Sequence, residues 1–287
     1  MKPPSFHYER PSTVAGALDL LSRHGDDAKV LAGGQSLVPM MSFRLAQPEI
    51  LVDVNRLDDL SGLAVEDGEL RIGTLVRHAV LARRVVDDPL GALLASAARH
   101  VGHLPIRERG TFGGSLAHAD PAAEWCLLAV TLSARMVLES VRGERVVGAD
   151  DFLTSTFVTA LEPDELLREV RLPLLGSAAR VGFQEFSRRD GDFAMAAVAV
   201  VLTLDGATVR DARIGLGGVG GRPVRAAEAE AALAGAEPGR ESFREAAALA
   251  ARHADPVADI HASAEHRRRV IEVLTRRALE EANGHGP

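Results

Sequence analysis

The 287-residue sequence predicts an α+β fold built in two successive parts. Three observations carry that class. The first fifty-odd residues alternate strand and helix signals as a βαβ unit around a paired-glycine turn. A central stretch has a hairpin signal at Asp67-Gly68 and further strand-like runs interleaved with helical ones. Beyond a loose, small-residue stretch at 173–179, three strand-like runs precede three helical runs, the pattern of a separate α+β domain.

Taken in order, residues 5–9 read as extended, and Ser12-Thr13 suit a helix N-cap. Val14, Leu18 and Leu21 then recur at helical spacing until Gly25 stops the helix. Residues 29–32 read as a short buried strand, 37–44 as a helical turn and 50–54 as another strand. Residues 63–65 and 70–72 flank the Asp67-Gly68 turn. Helical periodicity returns over 89–101, and 107–118 reads as a polar, glycine-containing loop. Pro121 suits the first turn of a helix running through Leu132. Strands follow at 134–140, 144–147 and 166–172. In the second part, 181–187, 193–204 and 209–216 read as three antiparallel strands, and 224–234, 241–253 and 263–283 as helices.

Composition excludes several classes of function. Forty acidic residues against 33 basic ones give a net charge of −7, which argues against a nucleic-acid or anionic-membrane surface. The longest uncharged apolar run, 193–204, is far short of the roughly 20 residues of a membrane-spanning helix. The start lacks the apolar core of a signal peptide, so the expectation is a soluble cytoplasmic protein. Cys126 is the only cysteine, so this chain supplies neither a disulfide nor the ligands of an iron–sulfur cluster.

Two glycine loops carry the chemistry. Ala32-Gly33-Gly34-Gln35-Ser36 lies between a strand and a short helix, where successive backbone N–H groups can form a nest for a phosphate. Paired glycines serve plain tight turns equally well. Gly110-Thr111-Phe112-Gly113-Gly114-Ser115-Leu116 offers the same hardware, and two such loops point to two subdomains clamping one pyrophosphate. Carboxylates in 118–124 could accept hydrogen bonds from ribityl or ribose hydroxyls; Asp120 before Pro121 is equally suited to cap a helix. Gly215-Leu216-Gly217-Gly218-Val219-Gly220 matches the dinucleotide fingerprint, but Arg222-Pro223 interrupts and no parallel strand follows. It reads as a glycine-rich strand end. His100 and His103 lack a third metal ligand, and the arginines 267–269 and 276–277, set among glutamates, read as a solvated, ion-paired helix face. No metal site and no catalytic side chain is expected.

The two loops, with Pro39 and Arg44 after the first and Arg107-Glu108-Arg109 before the second, resemble those of the carbon monoxide dehydrogenase medium-chain family. Ser187-Arg188-Arg189-Asp190-Gly191-Asp192-Phe193-Ala194 resembles its third landmark. The family includes the flavin subunits of nicotine and ketone dehydrogenases and the flavin domain of xanthine dehydrogenase. The resemblance implies a vanillyl-alcohol-oxidase-type FAD-binding domain at 1–175, in subdomains of about 1–56 and 57–175, and a C-terminal α+β domain at 178–287 with a three-stranded antiparallel sheet and helices. It implies noncovalent FAD held by Lys29, Val30, Leu31, Ala32, Gly33, Gly34, Gln35, Ser36 and Leu37 in the first region. Gly110, Thr111, Gly113, Gly114, Ser115, Ala119 and Asp120 serve in the second. Val101 is placed near the flavin ring, Glu124 at the ribityl–phosphate region, and Leu167 near the adenine or ring. Phe193 stands where relatives often carry Tyr beside the isoalloxazine. Xanthine dehydrogenase has Lys at the position of Gln184 and Asp at that of Glu124.

The implied role is electron transfer without a side-chain acid or base. Electrons reach FAD from [2Fe–2S] clusters on a small partner subunit and leave to an external acceptor. A large partner binds the molybdenum cofactor and oxidises the substrate, in a heterotrimer or a dimer of heterotrimers. Two other readings compete: a self-sufficient flavin oxidase of the vanillyl-alcohol-oxidase superfamily, which expects its own base and often a covalent flavin link, and a non-catalytic nucleotide-binding protein with a vestigial pocket.

Overall fold

The computed structural model describes residues 2–258 and 262–284. Residues 285–287, the end of the expected C-terminal domain, lie outside them.

The N-terminal unit is β1 (His7–Glu9), α1 (Val14–His24), β2 (Ala28–Leu31), α2 (Leu37–Ser42) and β3 (Ile50–Asp53). Thr13 caps α1 by accepting the Gly16 N–H at 3.1 Å, and Gly25 ends it. The three strands form a parallel sheet in the order β1-β3-β2. Val14, Ala17, Leu18 and Leu21 of α1 pack on Ile50 and Val52, so a four-residue spacing meets a two-residue spacing in one small core.

The central unit comprises β4 (Leu63–Glu66), β5 (Glu69–Gly73), α3 (His78–Leu81), α4 (Pro89–Ala98), α5 (Leu104–Arg109), α6 (Phe112–His118) and α7 (Glu124–Thr131). It continues through β6 (Arg135–Ser140), β7 (Gly143–Gly148), α8 (Ala149–Phe152), β8 (Leu153–Ser155), β9 (Val158–Thr159) and β10 (Leu166–Pro173). Its antiparallel sheet runs β4-β5-β10-β6-β7, so β10 returns late in the chain to fill the centre.

Two expectations fail here. Residues 107–118 are mostly helical, forming the end of α5 and all of α6. Thr111 caps α6 by accepting the Gly114 N–H, and the buried Phe112 and Leu116 anchor it, which outweighs the helix cost of two glycines. Pro121 does not open α7, which starts at Glu124. The Asp120 carboxylate instead accepts the Ala122 N–H at 2.9 Å, closing a turn that is further held by a bond from Gly218 N–H to the Pro121 carbonyl.

The C-terminal unit is β11 (Ala179–Phe186), β12 (Ala196–Asp205), β13 (Thr208–Gly217), β14 (Val224–Arg225), α9 (Ala227–Leu233), α10 (Arg240–His253) and α11 (Ala264–Ala282). The antiparallel sheet has four strands, not three, because the two-residue β14 adds to the β13 edge. Along β12, Ala197, Ala199 and Val201 face a core shared with α4 and α7, while Val198, Val200 and Leu202 face α9, α10 and α11. Burial of both faces explains the uncharged run. Gly215 belongs to β13, where an added Cβ would lie 1.8 Å from Thr131 Oγ1. The fingerprint-like glycines therefore let α7 approach the sheet. Arg267 departs from the expected solvated face: it is buried and donates to the Met195 carbonyl at 2.6 Å. Arg269 and Arg276 do pair along α11 with Glu265 and Glu280. No helix among the described residues is long and apolar enough to cross a membrane.

Candidate functional site

A cavity of about 670 Å³ lies where the N-terminal and central units meet. Lys29, Val30, Ala32, Gly33, Gly34, Gln35, Ser36 and Leu37 line it from β2 and the turn into α2. Val101, Gly110, Thr111, Gly113, Gly114, Ser115, Asp120 and Glu124 line it from the central helices, with Leu167 from β10 and Phe193 from the loop before β12. Its size falls within the range of small-molecule sites. Two residues expected at the site do not line it. The Leu31 carbonyl is turned to β3, accepting the Val54 N–H at 3.1 Å, and the buried Ala119 ends α6 in a left-handed conformation with its carbonyl bonded to Phe157 N–H.

The two glycine loops touch. A Cβ on Gly33 would sit 2.4 Å from the Arg109 carbonyl oxygen and 2.7 Å from Gly110 Cα, and one on Gly114 would sit 3.8 Å from Ala32 Cβ. Gly34 adopts φ +72°, a left-handed conformation that glycine enters without strain.

Their hydrogen bonding is not the same, contrary to the expectation of matched hardware. Among the described residues, no protein acceptor meets the N–H groups of Gly33, Gly34, Gln35 or Ser36. In the second loop the N–H groups of Phe112, Gly113, Gly114 and Ser115 are all taken, by Val76 O, Thr74 O, Thr111 Oγ1 and Thr111 O. Gly113 is needed for contact with Thr74, whose Oγ1 would lie 1.8 Å from an added Cβ. The first loop therefore offers donors, and the second offers close backbone approach and the hydroxyl of Ser115.

Charge sharpens that division. The lining includes one lysine, Lys29, against Asp26, Asp120, Glu124, Glu162, Glu165 and Asp192. Without a cationic clamp, an anionic group is best received by the unpaired N–H groups of the first loop. Glu162 and Glu165 are ion-paired with Arg142 and Arg145, while the aspartates suit sugar or ribityl hydroxyls. Burial holds the Glu124 carboxyl well above the usual range, with the Asp120 charge adding to it, so Glu124 keeps its proton more readily than an ordinary carboxyl. Cys126 is buried and burial pushes its thiol up, which leaves it an inert core residue.

Several lining residues were missed by sequence reasoning. His78 and Thr74 sit behind the second loop. His118 stacks on Phe157 with ring centroids 4.9 Å apart. His118 opens the 118–124 segment that follows the second glycine loop, whereas Phe157 lies in an excursion between β8 and β9 that has no pattern of its own. His100 and His103 part company: His100 lies against Phe183, and the His103 ring packs on Gly191 of the third loop. Among the described residues no group of three or more His, Cys, Asp or Glu is placed to hold a metal. Gln184 lies outside the cavity lining and donates to Glu281 of α11 at 2.8 Å.

Residues 4–175 match the family model for the FAD binding domain in molybdopterin dehydrogenase, and residues 182–282 that for the CO dehydrogenase flavoprotein C-terminal domain. The chain belongs to the FAD-binding, medium-chain flavoprotein family of the molybdenum-containing dehydrogenases. It is 42% identical to the 6-hydroxypseudooxynicotine dehydrogenase complex subunit alpha of Paenarthrobacter nicotinovorans, over 98% of this chain and 96% of that one. It is 39% identical to the nicotine 6-hydroxylase medium subunit of the same organism, over 98% and 99%. It superimposes on a chain of carbon monoxide dehydrogenase from Hydrogenophaga pseudoflava with a TM-score of 0.95, at 37% identity and full coverage of both. The family is one of oxidoreductase flavoproteins, and FAD is its cofactor. The donor-rich first loop and the cradle closed by Gly33 and Gly114 fit that group.

Proposed function

We propose that this chain is the FAD-binding electron-transfer subunit of a cytoplasmic, heterotrimeric molybdenum hydroxylase. The observation that carries the reading is the junction of the two glycine loops, where four residues whose N–H groups meet no protein acceptor among the described residues line a cavity with a single lysine in its wall. In this reading the chain divides into 1–56, 57–175 and 178–287, and the cofactor lies between the first two parts with its pyrophosphate on Gly33 to Ser36. Val101, Leu167 and Phe193 offer apolar surface to its rings. Phe193, 71% exposed at the rim, is free to meet an edge of the isoalloxazine. Bound FAD supplies one- and two-electron redox chemistry, while the chain's own residues bind it, orient it and set its surroundings. Electrons arrive from [2Fe–2S] clusters on a small partner and leave to an external acceptor. A large molybdenum-binding partner selects the substrate.

The test is purification of the chain alone and with the products of its neighbouring genes, followed by visible spectroscopy and identification of released cofactor. Noncovalent FAD, with iron–sulfur and molybdenum signals only in the co-purified complex, is expected. Flavin covalently attached to a solitary chain that oxidises an alcohol or amine would replace this reading with the stand-alone oxidase.

A further inference from the structure

A polar strap runs behind the glycine loops, through residues that do not line the cavity. Asn55 Nδ2 donates to the Ala32 carbonyl at 2.8 Å and to the Leu31 carbonyl at 3.3 Å, holding the start of the first loop. The same amide is fixed by Asp53, whose Oδ1 accepts both Asn55 N at 2.9 Å and Asn55 Nδ2 at 2.6 Å, while the Tyr8 hydroxyl donates to Asp53 Oδ2. Asn55 Oδ1 accepts Arg77 Nη2 at 2.8 Å, and Arg77 Nη1 donates to the Arg109 carbonyl at the start of the second loop. That carbonyl is the one on which Gly33 sits. Arg77 also bridges Thr111 through the backbone, with His78 N–H bonded to the Gly110 carbonyl and Phe112 N–H to the Val76 carbonyl.

We infer that Asn55 and Arg77 are the positioning residues that lock the two glycine loops into one cradle, so that neither loop keeps its FAD-binding geometry alone. The reason is connectivity. The first loop follows β2 and the second joins α5 to α6, and the described contacts between them, Gly33 against the Arg109 carbonyl and Gly114 near Ala32, have no direction. Arg77 supplies direction, because its planar fork holds Asn55 with one nitrogen and Arg109 with the other. A lysine keeps the charge but cannot hold both partners in fixed geometry. The inference rests on the FAD reading above, and its test is arranged to separate the two.

The experiment compares the full-length chain with Asn55→Ala, Arg77→Lys and the double variant, measuring FAD dissociation constants and backbone hydrogen exchange without FAD. Each single variant is expected to weaken FAD by about tenfold or more, and the double variant to be no weaker than the worse single one. Asn55→Ala is expected to speed exchange at Gly110 N–H, on the far loop, and Arg77→Lys to speed it at Val54 N–H, with apo melting temperature unchanged. Losses that multiply in the double variant, wild-type affinity in Arg77→Lys, or exchange confined to the mutated side would each overturn the strap. An unsubstituted chain that binds no FAD would overturn the cofactor reading instead, and the exchange measurement then judges the strap by itself. If either variant fails to fold, Asn55→Ser and Arg77→Gln take its place with the same criteria.

Discussion

The indole N–H of Trp125 donates to Nδ1 of His78 across 2.9 Å, with both side chains buried between α7 and the second glycine loop. The bond requires Nδ1 to be an unprotonated acceptor. Burial pushes His78 down to about 4 from an ordinary 6.5, and the charges of Arg77 and Arg107 push the same way.

The unfolded chain therefore takes up a proton at His78 that the folded chain refuses between pH 6.5 and 4. Stability falls as pH drops through that window, by roughly 3 kcal/mol from this group. His78→Gln keeps an acceptor for Trp125 without the titration. Urea denaturation at several pH values should show an acid limb flatter by about one proton in the variant; identical limbs would place the acid sensitivity elsewhere.

Glu185 has the opposite sign. Its side chain is buried, its Oε2 meets no partner among the described residues and His100 Nδ1 stands 3.9 Å from Oε1. Burial, with the Glu124 charge adding to it, holds the carboxyl well above its usual range, so the folded chain keeps a proton that the unfolded chain releases. This costs stability progressively as pH rises above about 4.5. Glu185→Gln should match wild type near pH 5 and exceed it at pH 8 by about 1–3 kcal/mol. A variant less stable than wild type at pH 8 would mean that the ionised carboxylate is stabilised there.

The loop junction tolerates no side chain. Gly33→Ala places a Cβ 2.4 Å from the backbone oxygen of Arg109, which cannot swing aside, so the loops must part. FAD affinity should drop by about tenfold or more, as read by equilibrium dialysis on folded protein. Gly34→Leu, at φ +72°, and Gly114→Leu, 2.6 Å from Thr111 Oγ1 at the added Cβ, should abolish binding. Stoichiometric FAD in these variants would sink the two-loop cradle.

Gly215→Ala provides a contrast within the run that mimics a dinucleotide fingerprint. Its Cβ would overlap Thr131 Oγ1, so stability should fall by about 1–3 kcal/mol, while the folded fraction keeps its FAD. Loss of FAD from a fully stable variant would contradict a packing role.

The sequence by itself determined most of the elements and the two glycine loops that line the cavity, but not the larger part of its wall. Hydrophobic spacing marks α1, β12 and α11 because burial has a period, and glycine pairs stand out because so few residues allow close backbone approach. Local reading failed at residues 107–118 because a helix containing Gly113 and Gly114 is stabilised from outside, by Thr74 and by a cap at Thr111. It failed for Arg267 because burial beside Met195 is a tertiary fact. Only the folded chain decides that the first loop keeps its N–H donors free while the second spends its own, and that Asn55 and Arg77 join them. Hydrogen-bond partners far apart in sequence leave no period and no motif. They exist only once the sheets have brought Ala32, Asn55, Arg77 and Arg109 within reach of one another.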